Sequence, residues 1–562
     1  MMDKAVLPLV QQIHQASQEY IRDQVVQPLD FEGYPNYLEN GNRLVFENQY
    51  FARRRQLAVL GLDYLLSPDE ATKQMLERTI WEVCNEYTWA LPAHLPVTGT
   101  TFGNASPRWL DLFAAETGET LAEIQSLVGE SLSPMINQRI DLELNQRILA
   151  PLLDRDWSWQ HKANNWSAVI AGAIGLTVMF KLPKDSPQLT AILSRLDIAF
   201  ATYLGSFGDD GACVEGVSYW AYGFGYYLYF AEQAATVLGQ QKYLDNPKVK
   251  QIAAFPYLTM INQTDYLPFS DYALSGLPSG LLCYCHQRFA VAVPAVKIVS
   301  DLDFDTCYRF AQLYRNLIWT KQIEQTQQNK AVLRYYFSDV QWLINRDQQA
   351  DFVFAAKGGS NQESHNHLDL GHFILGTEWQ LFLTDLGAGE YTKDYFNDDK
   401  RYQYFVTSAA SHSIPIINGQ PQPAMATKIQ ANYRDAESQL TYDLISAYPA
   451  AAKLTLFNRR FEFAASKRLV ILEDQFAFQA ADNEIVENFV TTIKPQINGN
   501  QVWLTNAKES CQLTITGAQQ LQVLPVDFLN HDGQLARAYQ IQARYKAQKN
   551  SEIKIIMQLL NN

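Results

Sequence analysis

The spacing of hydrophobic residues changes once along this chain, and that change limits the fold more than any other feature. Up to about residue 320 the apolar positions recur at helical intervals. Leu76, Ile80, Val83 and Tyr87 form one such set, and Leu193, Leu196, Phe200 and Tyr203 form another. "SPDE" at Ser67–Glu70 is a helix start signal, with Ser67 as cap, Pro68 in the first helical position and Glu70 closing a capping box. Gly205 and Gly208 are a stop signal. A polar stretch, "KQIEQTQQNKA" (Lys321–Ala331), reads as a linker. Beyond it the period becomes two. "KLTLFNRRFEFAASKRLVILEDQFAF" has the pattern strand, turn, strand, and "QLTITGAQQLQVLPV" and "YQIQARYKAQKNSEIKIIMQLL" follow suit. The expected fold is multidomain α+β. An (α/α) bundle or toroid spans about 1–325, and an antiparallel β-sandwich spans about 330–562. A length of 562 residues agrees with two cores, since single cores stop growing near ~250–300 residues.

Charge narrows the partners. The net charge of −14 argues against a nucleic-acid binder, which needs a basic footprint. A polyanionic substrate would have to meet a local basic patch. No segment approaches ~20 consecutive apolar residues, so no membrane span is expected. The N-terminus, "MMDKAVLPLVQQIHQASQEY", has no apolar run long enough for a signal peptide, and a cytoplasmic location is expected. The six cysteines are scattered, and Cys283–x–Cys285 lacks redox or zinc-ribbon spacing, so free thiols are expected. Nothing in the sequence fixes the oligomeric state.

"SNQESHNHLDLGHF" (Ser360–Phe373) holds three of the nine histidines. Read as a strand, it places His365, His367 and Asp369 on one face and turns Leu368 and Leu370 to the other. A strand with a polar outer face satisfies this pattern, and so does a metal site. The next strand, "WQLFLTDLG", ends on Asp385 among apolar residues, where a carboxylate needs a partner or a metal. "SAASHSIPIING" places His412 just before an apolar strand. His367, Asp385 and His412 make a two-histidine, one-carboxylate set that suits zinc.

The helical part adds two stretches. "HKANNWSAVIAGAIG" brings Asn164 and Asn165 to a helix start, a place for an anion or for ordinary N-capping. "DDGACVEGVSYWAYGFGYYLYF" combines Glu215 with a run of tyrosines. Tyr222, Tyr226 and Tyr229 have core spacing, and Tyr219 lies nearest the loop as the candidate exposed phenol.

Taken together these stretches, with "YFARRRQLAVLGLDYLL", "WALPAH" (Trp89–His94) and "LTDLGAGEYTKDYF", give the chain its resemblance to the heparinase II/III-like polysaccharide lyases. That family pairs an N-terminal (α/α) toroid with a C-terminal antiparallel β-sandwich. It cleaves uronic-acid-containing glycans by β-elimination. The resemblance implies an anionic oligosaccharide or polysaccharide substrate, glycosaminoglycan-like or alginate-like. It makes Tyr219 the catalytic tyrosine, acid to the leaving oxygen, and His365 a base or carboxylate neutraliser. An asparagine of "NNW", Asn164 or Asn165, neutralises the uronate. His367, Asp385 and His412 match the zinc ligands, and the zinc is structural. Asp369 is left as a structural polar group and His372 is without a role. Glu215, Trp89, His94, Tyr391, Tyr395 and Arg401 are candidate substrate-binding residues, and one of Tyr391, Tyr395 and Tyr402 corresponds to a second active-site tyrosine. Two other readings are a glycoside hydrolase using Asp209, Asp210 or Glu215 as its carboxylate pair, and a glycan-binding protein without activity.

Overall fold

The computed structural model describes residues 3–262, 264–273, 276–323, 332–425 and 427–561. The chain forms two compact units. Unit 1 comprises residues 1–207, 218–254 and 275–326, and unit 2 comprises 208–217, 255–274 and 327–562. The linker expected at Lys321–Ala331 lies, from residue 324 on, outside the described residues. The fold class expected from the change of period is the one the chain has: a helical toroid followed by antiparallel β-sandwich sheets.

Unit 1 is helical. Its elements include α1 (Leu44–Leu66), α2 (Glu70–Cys84), α3 (Leu112–Val128), α4 (Asn165–Lys181), α5 (Pro187–Gly205) and α6 (Gly225–Leu238). The cap of α2 is Asp69, not Ser67: its carboxylate accepts from the N–H groups of Ala71 and Thr72. An ionised carboxylate two residues later outcompetes the hydroxyl for the orphan N–H groups of the first turn. Leu76, Ile80 and Val83 are buried as their spacing predicts, whereas Tyr87 lies beyond the end of α2 and is 50 % exposed. On α4 every residue from Ser167 to Met179 is buried. Its small residues let α6 come close: a Cβ on Gly172 would meet the Tyr226 carbonyl oxygen at 2.6 Å.

Among its described residues unit 2 contains three sheets. β1 (Val332–Phe337), β2 (Trp342–Asp347), β3 (Phe352–Lys357), β4 (Phe373–Gly376) and β5 (Leu381–Leu383) form a five-stranded antiparallel meander. The remaining strands are β6 (Ile416–Ile417), β7 (Gln430–Arg434), β8 (Gln439–Asp443), β9 (Leu454–Ala464), β10 (Leu469–Phe478), β11 (Asn483–Thr491), β12 (Gln496–Asn498), β13 (Gln501–Thr505), β14 (Glu509–Ile515), β15 (Gln520–Leu529), β16 (Leu535–Ala547) and β17 (Asn550–Asn561). They build an eight-stranded sheet, β12-β13-β14-β17-β10-β9-β8-β7, and a four-stranded one, β15-β16-β11-β6. The predicted hairpin is present: β9 and β10 pair from Ala464 opposite Leu469, and the chain turns through Arg468 at φ +53°.

One apolar core serves all three sheets, with Phe354 and Phe373, Phe461 and Leu472, and Phe489 and Ile541 contributed by the three in turn. Into this core β9 sends Arg459, which is fully buried. Its guanidinium donates to Asp474 and to Glu487 at 2.6 and 2.9 Å. The same group donates to the carbonyls of Gly371 and Ser413, 3.2 and 2.8 Å away. A buried charge tolerates this position only because it is paired and fully hydrogen-bonded. Here those bonds also fix two loop segments of the candidate site. Among the described residues no helix is long and apolar enough to cross a membrane. All six cysteines are free.

Candidate active site and metal centre

The stretch Ser360–Phe373 is a loop, not the strand that its alternation suggests. The strand begins only at Phe373. Two residues break the pleat. His365 has φ +59°, and Gly371 has φ +84°. Around Gly371 the chain turns, with the His372 N–H donating to the Asp369 carbonyl and the Gly371 N–H to the Lys357 carbonyl. His367, Asp369, Leu368 and Leu370 are all buried, so no half-exposed strand face exists here.

This loop brings His367 and Asp369 beside Asp385, which follows β5, and His412, which precedes β6. One ligand atom from each of the four lies within 4.8 Å of the others, and all four residues are buried. Asp369, expected to be only structural, therefore belongs to the cluster, with the Lys357 ammonium 2.5 Å from its Oδ2. His372 also has a place. Its Nε2 is 3.6 Å from Asp385 Oδ2, and its Nδ1 accepts from the Ser413 N–H at 2.8 Å.

The hydrogen bonds determine which nitrogens carry protons. His412 Nδ1 is 2.9 Å from the Ser408 carbonyl, which can only accept, so Nδ1 is the donor and Nε2 holds a lone pair. His367 Nε2 is 3.1 Å from a carboxylate oxygen of Asp271, so its Nδ1 holds the lone pair. Those two lone-pair nitrogens are 3.2 Å apart. Asp385 Oδ2 lies 3.5 Å from His412 Nε2 and has no hydrogen-bond partner among the described residues. Three electron pairs thus converge in a buried space, an arrangement that repels itself until a cation enters. Two imidazoles with one or two carboxylates suit zinc, and each imidazole has an acceptor behind it, as metal-bound histidines do.

The same electron pairs also attract a proton, and the three imidazoles differ in how they respond. Burial pulls His367 and His372 down from the usual imidazole range. Burial acts on His412 too, but Asp385 outweighs it and pushes this imidazole up. Burial opposes ionisation of Asp385, yet His412 and its neighbours hold the carboxyl well below its usual value.

Asp271 lies outside the residues that the sequence singled out. It belongs to the segment 255–274 of unit 2 and is 1 % exposed. It accepts from His365 Nδ1 at 2.8 Å, His367 Nε2 at 3.1 Å, the Tyr395 hydroxyl at 2.6 Å and Arg401 Nη2 at 2.9 Å. Burial raises its pKa, but Arg401 and the imidazoles prevail and hold the carboxyl well below the usual range. The only sequence signal was a carboxylate in the apolar run "YLPFSDYAL", 94 residues before His365.

The other expected residues divide. Glu215 is buried, with Oε1 3.5 Å from His365 Nε2. Tyr395 and Arg401 face inward onto Asp271 instead of outward, and burial together with Asp271 pushes the Tyr395 phenol well up. Tyr391 packs edgewise on His531 and Phe396. Tyr402 donates to Asn366 Oδ1. In unit 1, Trp89 is a core residue, 1 % exposed, whose indole N–H donates to the Val83 carbonyl. His94 is held by Asp111 at 2.7 Å and lies edge-on to Trp166. Asn164 caps α4, accepting from the Trp166 N–H, and Asn165 begins the helix, 2 % exposed. Tyr219 ends a short helix, Val217–Tyr219, and is half-buried. Asp210, offered for hydrolysis, accepts instead from the backbone N–H groups of Ala212 and Asp339.

Residues 337–555 match the family model described as Heparinase II/III-like, C-terminal. This region is similar to the C-terminal domain of that family. Solved structures extend the likeness to the whole length. A heparan sulfate lyase from Pedobacter heparinus matches with a TM-score of 0.61 at 14 % identity, covering 98 % of this chain and 84 % of that one. A heparinase III structure gives 0.63 at 12 %, covering 100 % and 93 %. A second heparinase III gene product gives 0.64 at 11 %, covering 98 % and 84 %. The search of curated proteins returned no match. The resemblance read from the sequence is therefore borne out, and the likeness to solved structures is one of fold. Within the heparinase-like domain, Gly371→Ala is expected to cost about 2 kcal/mol or more, because its Cβ meets a φ of +84° and Leu444 Cδ1 at 2.7 Å. The measurement is the denaturant midpoint, and an unchanged midpoint would show that the turn adapts.

Proposed function

We propose that the chain is a lyase acting on uronic-acid-containing oligosaccharides or polysaccharides by β-elimination. The observation that carries this reading is His365. Its imidazole is held by Asp271 beside a cation-competent cluster, inside a region similar to the C-terminal domain of the heparinase II/III-like family. The heparan sulfate lyase among the structural neighbours supports an acidic glycan as substrate.

The chemical difficulty is the C5 proton next to the uronate carboxylate. It becomes removable only when the carboxylate charge is neutralised and the developing enolate is stabilised. A base must take it, and an acid must protonate the leaving C4 oxygen. By family likeness Tyr219 protonates the leaving oxygen, His365 acts as base or carboxylate partner, and Asn164 or Asn165 neutralises the uronate. Zinc, when bound, supplies structural order to the loops carrying His367, Asp385 and His412. His365 lies two residues from His367, so the same loop that holds a ligand holds the base.

Incubation with a panel of uronic-acid oligosaccharides is expected to produce the absorbance of an unsaturated uronate, with product masses lacking added water. Products carrying a new reducing end but no double bond would favour hydrolysis instead. No reaction across glycosaminoglycan and alginate oligomers would overturn the lyase reading.

A further inference from the structure

We infer that Asp271 is the positioning residue that sets the proton positions of His365 and His367 together, and so ties the order of the one to metal binding by the other. The inference rests on the metal reading of His367 and on the proposed role of His365.

A carboxylate offers about four lone-pair sites on two oxygens. All four are used on Asp271. Oδ2 receives His365 Nδ1–H and Arg401 Nη2–H. Oδ1 receives His367 Nε2–H and the Tyr395 O–H. The side chain is fully buried, so water does not substitute for any of these donors. Two consequences follow from one group. With its Nδ1 proton held by Asp271, His365 is left with Nε2, 3.5 Å from Glu215 Oε1, and the neutral ring of His367 has Nδ1 as its acceptor nitrogen, the atom that faces His412 and Asp385.

An amide at this position cannot do both. Asparagine has one acceptor oxygen and one NH2 donor. Arg401 has no acceptor, so the amide oxygen is forced to its side, where it also keeps the His365 bond. The NH2 then faces His367 Nε2 and the Tyr395 oxygen. His367 answers by moving its proton to Nδ1, into the metal position. Asp271→Asn therefore acts on the metal ligand while leaving His365 in place, although both imidazoles touch the same residue.

Two measurements test this on the full chain. In native protein labelled with 15N-histidine, long-range 15N–1H correlation is expected to show His367 protonated on Nε2. A ring protonated on Nδ1 would overturn the inference, and this measurement needs no variant. Zinc competition with a chelator is expected to show 10–100-fold weaker binding in Asp271→Asn, the range for groups that orient a metal ligand. In Tyr395→Phe, which removes one donor but keeps the His367 bond, zinc binding is expected to stay within about threefold of wild type. Equal zinc affinity in Asp271→Asn and wild type would overturn the coupling. Absence of zinc binding by the wild type would instead remove the metal reading on which it rests.

Discussion

His365→Ala is expected to lower kcat on a cleaved uronic-acid oligosaccharide by about 10²–10⁴-fold, the usual contribution of a positioned acid or base. Folding should survive. The imidazole is 11 % exposed, and its removal takes one of four hydrogen bonds from Asp271, leaving Arg401, Tyr395 and His367 in place. The melting temperature should therefore shift by only a few degrees while activity collapses. Tyr219→Phe, which keeps the ring and removes the phenolic proton, should give a loss of similar size. A His365→Ala protein that retains more than a tenth of wild-type kcat would show that another group takes the proton.

The second large effect is expected at His367. Elemental analysis should find about one zinc per chain in the native protein and almost none in His367→Ala. The variant should also melt at a lower temperature. Its imidazole is fully buried, and deleting it leaves Asp385 Oδ2 and His412 Nε2 facing one another without the bound cation. Breaking a buried charge cluster costs on the order of 3–5 kcal/mol. At roughly 2–4 °C per kcal/mol for a unit of this size, the loss is about 10 °C. Chelation of the native protein should reproduce that shift, because metal binding and folding are linked. Metal-free protein with unchanged melting would dispose of the zinc centre.

The fold class was legible because periodicity is set by burial, and burial differs between a helix and a strand. The period-two runs that became β9, β10, β16 and β17 needed no tertiary information. Residues 360–373 misled for a physical reason. Leu368 and Leu370 alternate with His367 and Asp369, but all four are buried, and the positive φ values at His365 and Gly371 abolish the pleat. Alternation marks a strand only when one face is wet. The set His367, Asp385 and His412 was legible from residue type and family likeness. Asp369 and His372 were not, because their places depend on the turn at Gly371. Trp89 is buried in the helical core and Arg401 points onto Asp271, placements that residue type does not reveal. Asp271 was hidden by distance along the chain: it lies in what reads as the helical part.

The interrupted composition of unit 2 has a consequence for how the protein is made and divided. A gene fragment beginning at residue 330 encodes the imidazoles of the candidate site but neither Asp271 nor Glu215, and both also lie outside the matched span 337–555. During synthesis the ribosome releases Asp271 long before His365, His367 and Arg401 exist. That carboxylate must wait, solvated and unpaired, for its four donors. Exchange of whole C-terminal regions between relatives would bring together halves of one hydrogen-bonded group from different parents. The natural unit of inheritance for this hydrogen-bonded group is the span from residue 208 onward, not the C-terminal region alone.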